Sequence, residues 1–280
     1  MSFAQPGILE PRPDCSRYLF FALRPEAATQ TLRARLERLA DGDRLVVGLG
    51  SSLVEHLGGT IEPLRPFPAQ SHRGIDIPST PFALWCWLRG EDRGELLHRG
   101  RMIERQLNED LSLELAIEGF RFGPGLDLTG DGEDLENPEG EEAVLAAITH
   151  LPERLAGSSF VAVQQWQHDL DSFDALSDRA PEAPDEPAAP RAPAPKQEDF
   201  APERLMLRRS QPWIEGRRAG LVFIAFGQSL DAFEARLRCL IGLEDHLPAS
   251  LFRYSRPLSG SYYWCPPLHQ GRLDLSALDP

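Results

Sequence analysis

The order of apolar strands and amphipathic helices in the first half of the sequence constrains its fold more than any other feature. Short runs dense in aliphatic and aromatic residues, typical of buried strands, occupy residues 17–23, 44–49, 82–88 and 111–122. Helix-spaced apolar residues follow the first run at 29–39 and the third run at 92–107. In chain order this predicts strand, helix, strand, strand, helix, strand, which is the ferredoxin-like arrangement of an α+β unit.

The second half of the sequence repeats this plan less completely. Strands are predicted at residues 160–168, 221–226, 251–256 and 261–265, and a helix at 229–240. After the first of these strands, residues 178–199 are rich in Ala, Pro and acidic residues, a composition typical of a tether. We therefore predict two domains, an N-terminal domain at 1–155 and a C-terminal domain at 156–280.

The composition restricts the partners of the chain. Asp and Glu number 43 against 29 Lys and Arg, which gives a net charge of −14 without an evident basic stripe. Nucleic acid and anionic membranes are therefore not expected as partners. No apolar run approaches the length of a membrane span, and no secretory signal pattern is visible. The 4 cysteines are scattered without a Cys-x-x-Cys pair, which favours a reduced, cytoplasmic protein.

Residues 126–143 form the most unusual stretch of the chain. Its acidic side chains are interrupted by three glycines and one proline, so neither a strand nor a helix is expected before Glu139. Asn137 and Pro138 suit the N-cap and the first position of a helix that follows. Two interpretations are open for the loop itself: a solvated acidic connector, or a site for a hard cation such as calcium with an incomplete EF-hand ligand order.

Two segments of this stretch resemble the signature loop of the dye-decolorising (DyP-type) haem peroxidases: Asp127-Leu128-Thr129-Gly130 and Glu136-Asn137-Pro138-Glu139-Gly140. In that family a Gly-x-x-Asp-Gly element precedes a Thr-Glu-Asn-Pro run, and its Asp lies over the haem face where peroxide binds. Further blocks resemble the same family at residues 5–8, 47–52, 65–68, 85–98, 157–173, 207–213, 220–233 and 252–267. The resemblance implies two tandem ferredoxin-like domains with packed antiparallel sheets, of the dimeric α+β barrel type, and haem in the C-terminal half.

The proximal side of the haem site departs from the family pattern. The family's proximal histidine precedes the Arg208-Arg209 element, and counting back in register places Arg191 at that position. A guanidinium group stays protonated and offers no lone pair, so Arg191 is not expected to ligate iron. None of the 7 histidines lies between residues 169 and 245. The resemblance therefore implies a family member without its axial imidazole.

The distal side is altered as well. In register, the Gly-x-x-Asp-Gly element becomes Gly130-Asp131-Gly132-Glu133-Asp134. Glu133 stands in place of the catalytic aspartate, and Asp134 replaces a glycine at a point where the backbone approaches the porphyrin. Arg209 matches the distal arginine of the family, and Gln211 follows it. Glu133 and Arg209 are thus the candidate catalytic residues, and we predict no metal-ion site.

These departures predict a haem-free, catalytically degenerate family member, a pseudoenzyme that acts as a structural or binding subunit and needs no cofactor. Its partners would be further copies of itself or an active paralogue, because the family commonly oligomerises. The alternative is an active peroxidase that uses hydrogen peroxide to oxidise dyes or phenols, with haem b in a non-standard site. A third hypothesis is a metal-binding role for the acidic loop. Residues 273–278 also loosely resemble the tails that direct some family members into encapsulin shells.

Two short patterns have competing interpretations. Arg208 and Arg209 form either a salt-bridged surface pair or a retained part of the pocket. His168 and Asp169 look like a catalytic dyad, but the family carries them as a structural pair and no nucleophile is apparent. We therefore expect a structural role for His168 and Asp169.

Overall fold

The computed structural model describes residues 3–130, 137–150, 152–177, 206–243 and 248–279. The strands within these ranges are β1 (Cys15–Leu23), β2 (Leu45–Leu49), β3 (Gln70–His72), β4 (Ile75–Ile77), β5 (Leu84–Gly90), β6 (Leu111–Phe120), β7 (Ser159–His168), β8 (Leu207–Arg208), β9 (Gln211–Glu215), β10 (Arg218–Gly227), β11 (Ser255–Pro257), β12 (Ser261–Cys265), β13 (Leu268–His269) and β14 (Arg272–Leu273). The helices are α1 (Thr29–Glu37), α2 (Ser51–His56), α3 (Arg93–Leu107), α4 (Gly140–Ala147), α5 (Leu170–Ser177) and α6 (Asp231–Leu240). None of these helices is long and apolar enough to cross a membrane.

Eight of the strands close into an antiparallel, barrel-like sheet. Their order is β7-β12-β2-β5-β1-β6-β9-β10, and β10 pairs again with β7. β11 and β8 extend the sheet beside β7 and β10. The four apolar runs of the first half are confirmed as β1, β2, β5 and β6, and the fold is a mixed α+β fold. The assignment of the two halves to tandem ferredoxin-like domains stays a prediction.

Large aromatic side chains fill the interior of the barrel. Because side chains alternate along a strand, β1 directs Tyr18 and Phe20, and β5 directs Trp85 and Trp87, into one buried cluster. Trp85 stacks on Trp87 and on Tyr263 of β12, with ring centroids 6.2 and 5.9 Å apart. A barrel of eight strands is just wide enough to be filled by its own side chains. These rings therefore form a packed core within the barrel.

The helices cover the opposite face of the sheet. Leu32 and Leu36 of α1, Leu96 of α3, and Phe233 and Leu237 of α6 join one buried cluster with the outward-facing strand residues. Their three- and four-residue spacing places them on one face of each helix, as the sequence predicts. The sheet is thus buried on both faces, which explains why its strands read as nearly continuous apolar runs.

The tail residues 273–278 pack into this helical layer. Leu273, Leu275 and Leu278 are at most 4% exposed. Beyond them, Asp279 forms an ion pair with Arg33 of α1 at 2.7 Å. The leucines that suggested a shell-targeting tail are therefore core side chains in this structure.

One predicted strand, at residues 251–256, is wrong in its first part. Ser250–Arg253 form a 3₁₀ turn, and only β11 beyond it joins the sheet. The turn brings the Tyr254 carbonyl within 2.6 Å of the Asp169 amide nitrogen, so the chain enters the sheet beside the end of β7. An apolar run alone does not distinguish such a turn from a strand.

Candidate functional site

Arg209 lies between two short strands, β8 and β9, and faces the barrel interior. β8 and β9 follow one another along β10, separated by Arg209 and Ser210. Side chains alternate along a strand, so Leu207, Arg209, Gln211 and Trp213 share one side. Leu207 and Trp213 belong to the interior cluster. The two polar side chains between them are therefore placed at the barrel wall, facing inward.

Arg209 contacts the N-terminal segment of the chain. Its Nη2 donates a hydrogen bond to the Leu9 carbonyl at 2.7 Å, and its Nη1 donates to the Arg208 carbonyl at 3.2 Å. Arg208 is 3% exposed and Arg209 is 8% exposed. The interpretation of these two arginines as a surface pair is therefore wrong, because the strand turns Arg209 inward and other parts of the chain cover both.

Gln211 is the centre of a buried hydrogen-bond cluster. Its Oε1 accepts from the hydroxyls of Ser16 and Tyr18, the latter at 2.9 Å, and its Nε2 donates to the Pro13 carbonyl at 2.7 Å. The Trp87 indole N–H donates to the Ser16 hydroxyl at 2.8 Å. Burial raises the pKa of Tyr18, so its phenol stays protonated and remains a donor. Both lone pairs of the Gln211 carbonyl are thus occupied.

These contacts hold one segment of the chain, the N-terminal arm, which we define as residues 3–13. Three buried side chains hold alternate carbonyls of this arm: Arg209 holds Leu9, Arg89 holds Pro11, and Gln211 holds Pro13. At the start of the arm, Gln5 bonds both the amide and the carbonyl of Val47. The positions that the family resemblance assigns to the distal haem side therefore anchor the arm to the barrel.

Asn137 joins the acidic stretch to the strand that carries Arg209. Its Oδ1 accepts from the Arg208 amide at 2.8 Å, and its Nδ2 donates to the Arg208 carbonyl at 3.0 Å. The prediction that Asn137 caps a helix is wrong, because α4 begins at Gly140 with Glu139 at the N-cap. The amide instead pairs with the backbone of β8 at the edge of the sheet, where strand partners are missing.

Comparisons with known proteins find similarity to one family. A family model for the C-terminal part of Dyp-type peroxidases matches residues 188–270. A dye-decolorizing peroxidase of Brevibacterium linens is 30% identical over 173 residues, which cover 61% of this chain and 46% of that protein. The chain is similar to DyP-type peroxidases. A Mycobacterium tuberculosis dye-decolorizing peroxidase is 30% identical over 48% of this chain and 41% of its own. By sequence, the chain thus spans less than half the length of these curated DyP relatives.

Solved DyP structures share the fold. A putative DyP-type peroxidase from Shewanella oneidensis superposes with a TM-score of 0.82 at 22% identity, covering 95% of this chain and 97% of that one. A variant of Rhodococcus jostii DypB, in complex with heme, gives a TM-score of 0.81 at 20% identity, with coverage of 92% and 94%. Identities this low establish the fold alone.

Of the three predicted site residues, only Arg209 falls within the described ranges. Glu133 and Arg191 lie outside them, although Arg191 lies within the segment that matches the DyP family model. Among the residues that the structure describes, no cluster of three or more His, Cys, Asp or Glu side chains is arranged to hold a metal ion. The structure therefore brings Arg209 together with the arm and with Asn137, through Arg208, and places none of the other predicted residues.

Two buried side chains of β12, Tyr263 and Cys265, fit haem ligation poorly. Haem iron is held by His, Cys, Met or Tyr. Tyr263 and Cys265 of β12 are buried, and burial raises the pKa of both. The phenol and the thiol therefore stay protonated near neutral pH, whereas ligation by these groups needs the deprotonated form. His269 of β13 is exposed.

His168 and Asp169 are not paired with each other in the contacts they make. His168 Nδ1 lies 2.8 Å from the Ser255 hydroxyl, whereas the Asp169 carboxylate accepts from the backbone and the hydroxyl of Ser172 at the start of α5. Burial lowers the pKa of His168, and the nearby Asp127 carboxylate opposes that change. His168 and Asp169 therefore do not form a His–Asp dyad in this structure.

The lowered pKa of His168 predicts a pH dependence of stability. As the pH falls through the unfolded pKa of about 6.5, the unfolded chain binds this proton before the folded chain does, so the free energy of unfolding decreases. We expect His168→Gln to reduce that loss between pH 7 and pH 5, measured by urea denaturation. The control His98→Gln, on the exposed side of α3, should keep the wild-type slope. If the free energy of unfolding fell with pH equally steeply in His168→Gln and in wild type, the lowered pKa of His168 would be contradicted.

Proposed function

We propose that this DyP-family chain works without haem, as a structural or binding subunit. The observation that carries the proposal is that the side chains of Arg209 and Gln211 donate hydrogen bonds to carbonyls of the N-terminal arm. A distal arginine assists peroxide cleavage only if its guanidinium is directed at the reacting oxygen atoms. Here the Arg209 Nη2 is held 2.7 Å from the Leu9 carbonyl, and the Gln211 amide has both its oxygen lone pairs occupied.

Sequence chemistry supports the same proposal on the proximal side. Arg191 stands where the family resemblance expects the axial histidine, and no histidine occurs between residues 169 and 245. A guanidinium cannot donate an electron pair to iron. Glu133 and Asp134 in turn replace the aspartate and glycine of the distal loop. Both halves of the haem-activating machinery are thus changed in one chain.

Expression with ample haem tests the proposal directly. We expect the purified protein to show no Soret band above about a tenth of one haem per chain, because no axial bond holds the porphyrin. The dye-decolorizing peroxidase of Brevibacterium linens, expressed in parallel, serves as the positive control. A Soret band near one haem per chain that responds to hydrogen peroxide would refute the haem-free assignment.

Restoring the imidazole is the sharper experiment. We expect Arg191→His to raise haem content at least about fivefold over the wild-type chain, because histidine supplies the missing lone pair. The matched control Arg191→Gln removes the same charge without an imidazole and should leave haem content unchanged. Peroxide turnover should stay low in both variants, since Arg209 and Gln211 remain engaged with the arm. Equal haem content in the two variants would contradict the placement of Arg191 at the proximal position.

The second candidate function is an active, haem-dependent peroxidase with a non-standard site. Its support is the family itself: the curated relatives are named dye-decolorizing peroxidases, and a DypB neighbour is in complex with heme. In that case haem b would bind through a ligand other than residue 191, and the chain would oxidise dyes or phenols with hydrogen peroxide. The Soret measurement on wild-type protein separates the two functions.

For partners, we propose self-association or association with an active paralogue. Such an interface could cover large apolar side chains that are exposed in the single chain, among them Leu145 at 59% and Ile214 at 54%. A DyP-type peroxidase of Mycobacterium smegmatis is described as encapsulated. The burial of Leu273, Leu275 and Leu278 argues against a shell contact made by this tail. Sedimentation of the purified chain, alone and with a paralogue, tests this assignment.

We also propose the finer organisation that the sequence suggests. The two tandem ferredoxin-like domains would meet near residues 155 and 156, between the sheet segments β2-β5-β1-β6 and β9-β10-β7-β12. We place the protein in the cytoplasm, and its four free cysteines support a reducing compartment.

A further inference from the structure

A polar groove lies at the end of β7, on a part of the molecule that the proposed function does not use. It has a volume of 610 Å³ and is bounded by the start of α5, the β9–β10 hairpin and β11. Arginines reach it from three different segments: Arg217 from the hairpin, Arg253 from the 3₁₀ turn and Arg256 from β11. The ring of Tyr254 lines one wall. The volume falls within the range of about 300–1,000 Å³ that small-molecule sites occupy.

The net charge of the side chains that line this groove is opposite in sign to the net charge of the whole chain. Its three arginines and two aspartates, Asp169 and Asp171, give a net charge of +1, whereas the whole chain carries −14. The Asp169 carboxylate is already bound by Ser172. Within the described ranges, no carboxylate lies within ion-pair distance of Arg217, Arg253 or Arg256; Arg256 contacts only the Gln167 amide oxygen, at 3.4 Å.

Some other surface arginines of the chain do pair with carboxylates. Arg218, adjacent to Arg217 in the chain, pairs with Glu215 at 3.3 Å. Arg65 pairs with Glu234 at 2.9 Å. Arg217, Arg253 and Arg256 have no such partner among the described residues and share one concave surface, an arrangement that favours an anion from solution.

A buried histidine lies beside these arginines. His168 is 9% exposed and lines the groove, and its Nε2 has no hydrogen-bond partner among the described residues. Its Nδ1 lies 2.8 Å from the Ser255 hydroxyl. If Nδ1 accepts that hydroxyl proton, the neutral ring carries its own proton on Nε2. A buried N–H without an acceptor costs about 1–3 kcal/mol, so an acceptor atom from a ligand would be stabilising.

We propose that this groove binds a small organic anion whose carboxylate or phosphate group contacts Arg253 and Arg256 and accepts a hydrogen bond from His168. Guanidinium groups bind both kinds of oxyanion through paired N–H donors. The Tyr254 ring offers an apolar surface to the body of the same molecule. Arg209, the one candidate haem-site residue within the described ranges, does not line this groove, so anion binding and haem binding are tested separately.

Isothermal titration of the purified chain at low ionic strength tests this site, with citrate as the carboxylate probe and pyrophosphate as the phosphate probe. We expect saturable binding of one anion per chain, and the tighter of the two probes identifies the headgroup class. The double variant Arg253→Gln/Arg256→Gln should weaken that binding at least about tenfold, equivalent to about 1.4 kcal/mol. These side chains are exposed, so circular dichroism should be unchanged.

A control variant at a distant arginine and a direct probe complete the experiment. Arg105→Gln removes one exposed guanidinium from α3, away from the groove, and should leave binding unchanged. The ¹⁵N resonance of His168 Nε2 should shift as the anion is added, because that atom gains a partner. The absence of saturable binding with both probes would overturn the proposal, as would an equal loss in Arg105→Gln or a His168 resonance that does not move.

Discussion

Gln211→Leu should lower the free energy of unfolding by roughly 3–5 kcal/mol, because it leaves two buried hydroxyls and one partly buried carbonyl without their partner. The hydroxyls of Ser16 and Tyr18 lose their acceptor, and the Pro13 carbonyl loses its donor. Leucine has nearly the volume of glutamine, so the loss comes from hydrogen bonding and desolvation more than from a cavity. Urea denaturation followed by tryptophan fluorescence measures it.

The same variant distinguishes an anchor for the arm from a residue of a haem site. Gln30→Leu makes the identical chemical change on the exposed side of α1 and should alter stability by less than about 0.5 kcal/mol. In Gln211→Leu, proteolysis within the N-terminal arm should also become faster, because the Pro13 contact is lost. A variant as stable as wild type, with changed haem content or spectrum, would instead assign Gln211 to a cofactor.

Gly220→Ala should destabilise the fold by roughly 3 kcal/mol or more, because it places a methyl group against the backbone of the strand that closes the barrel. A Cβ atom on Gly220 would lie 1.9 Å from the Trp166 carbonyl oxygen and 2.9 Å from the Gln167 Cα. These atoms belong to β7, so the clash can be relieved only by moving β7 and β10 apart. Denaturant midpoints give the size of the effect.

Gly216→Ala provides the matched comparison for this clash. Gly216 occupies the β9–β10 turn with φ of +58°, and no atom lies within 4 Å of an added Cβ. Its substitution costs only the left-handed backbone conformation, about 1 kcal/mol. If Gly216→Ala and Gly220→Ala lost equal stability, steric contact between β7 and β10 would not be the reason for the glycine.

Local patterns predicted most of the barrel, and they failed where a segment depends on distant partners. β1 and β5 are recognisable because both of their faces are buried, which produces continuous apolar runs. No strand was predicted from the sequence at β9, and a proline such as Pro212 is unfavourable within a sheet. Pro212 is tolerated in β9 because it lies opposite Leu221 of β10 and is not paired with β6 on the other side. Within β9, Trp213 is the position that pairs with β6.

The candidate site was less accessible to sequence reasoning than the fold. The resemblance pointed to Arg209, but its partner Leu9 lies 200 positions away, and no local pattern reports such a pairing. The role of Asn137 was missed for the same reason: Asn137 followed by proline is a standard helix-start pattern, and its true partner Arg208 lies 71 positions further on. Glu133 and Arg191 were assigned through the resemblance alone.

The N-terminal arm has a consequence for the kinetics of folding. Gln5 reaches both Val47 and the Pro266 carbonyl, and Phe3 forms paired backbone hydrogen bonds with Leu268. Contacts between segments so far apart in the chain carry a large loop-closure entropy and form slowly. Docking of the arm should therefore be a late event during refolding, and the chain should pass through a stage in which the barrel has collapsed while its first residues are still open to protease.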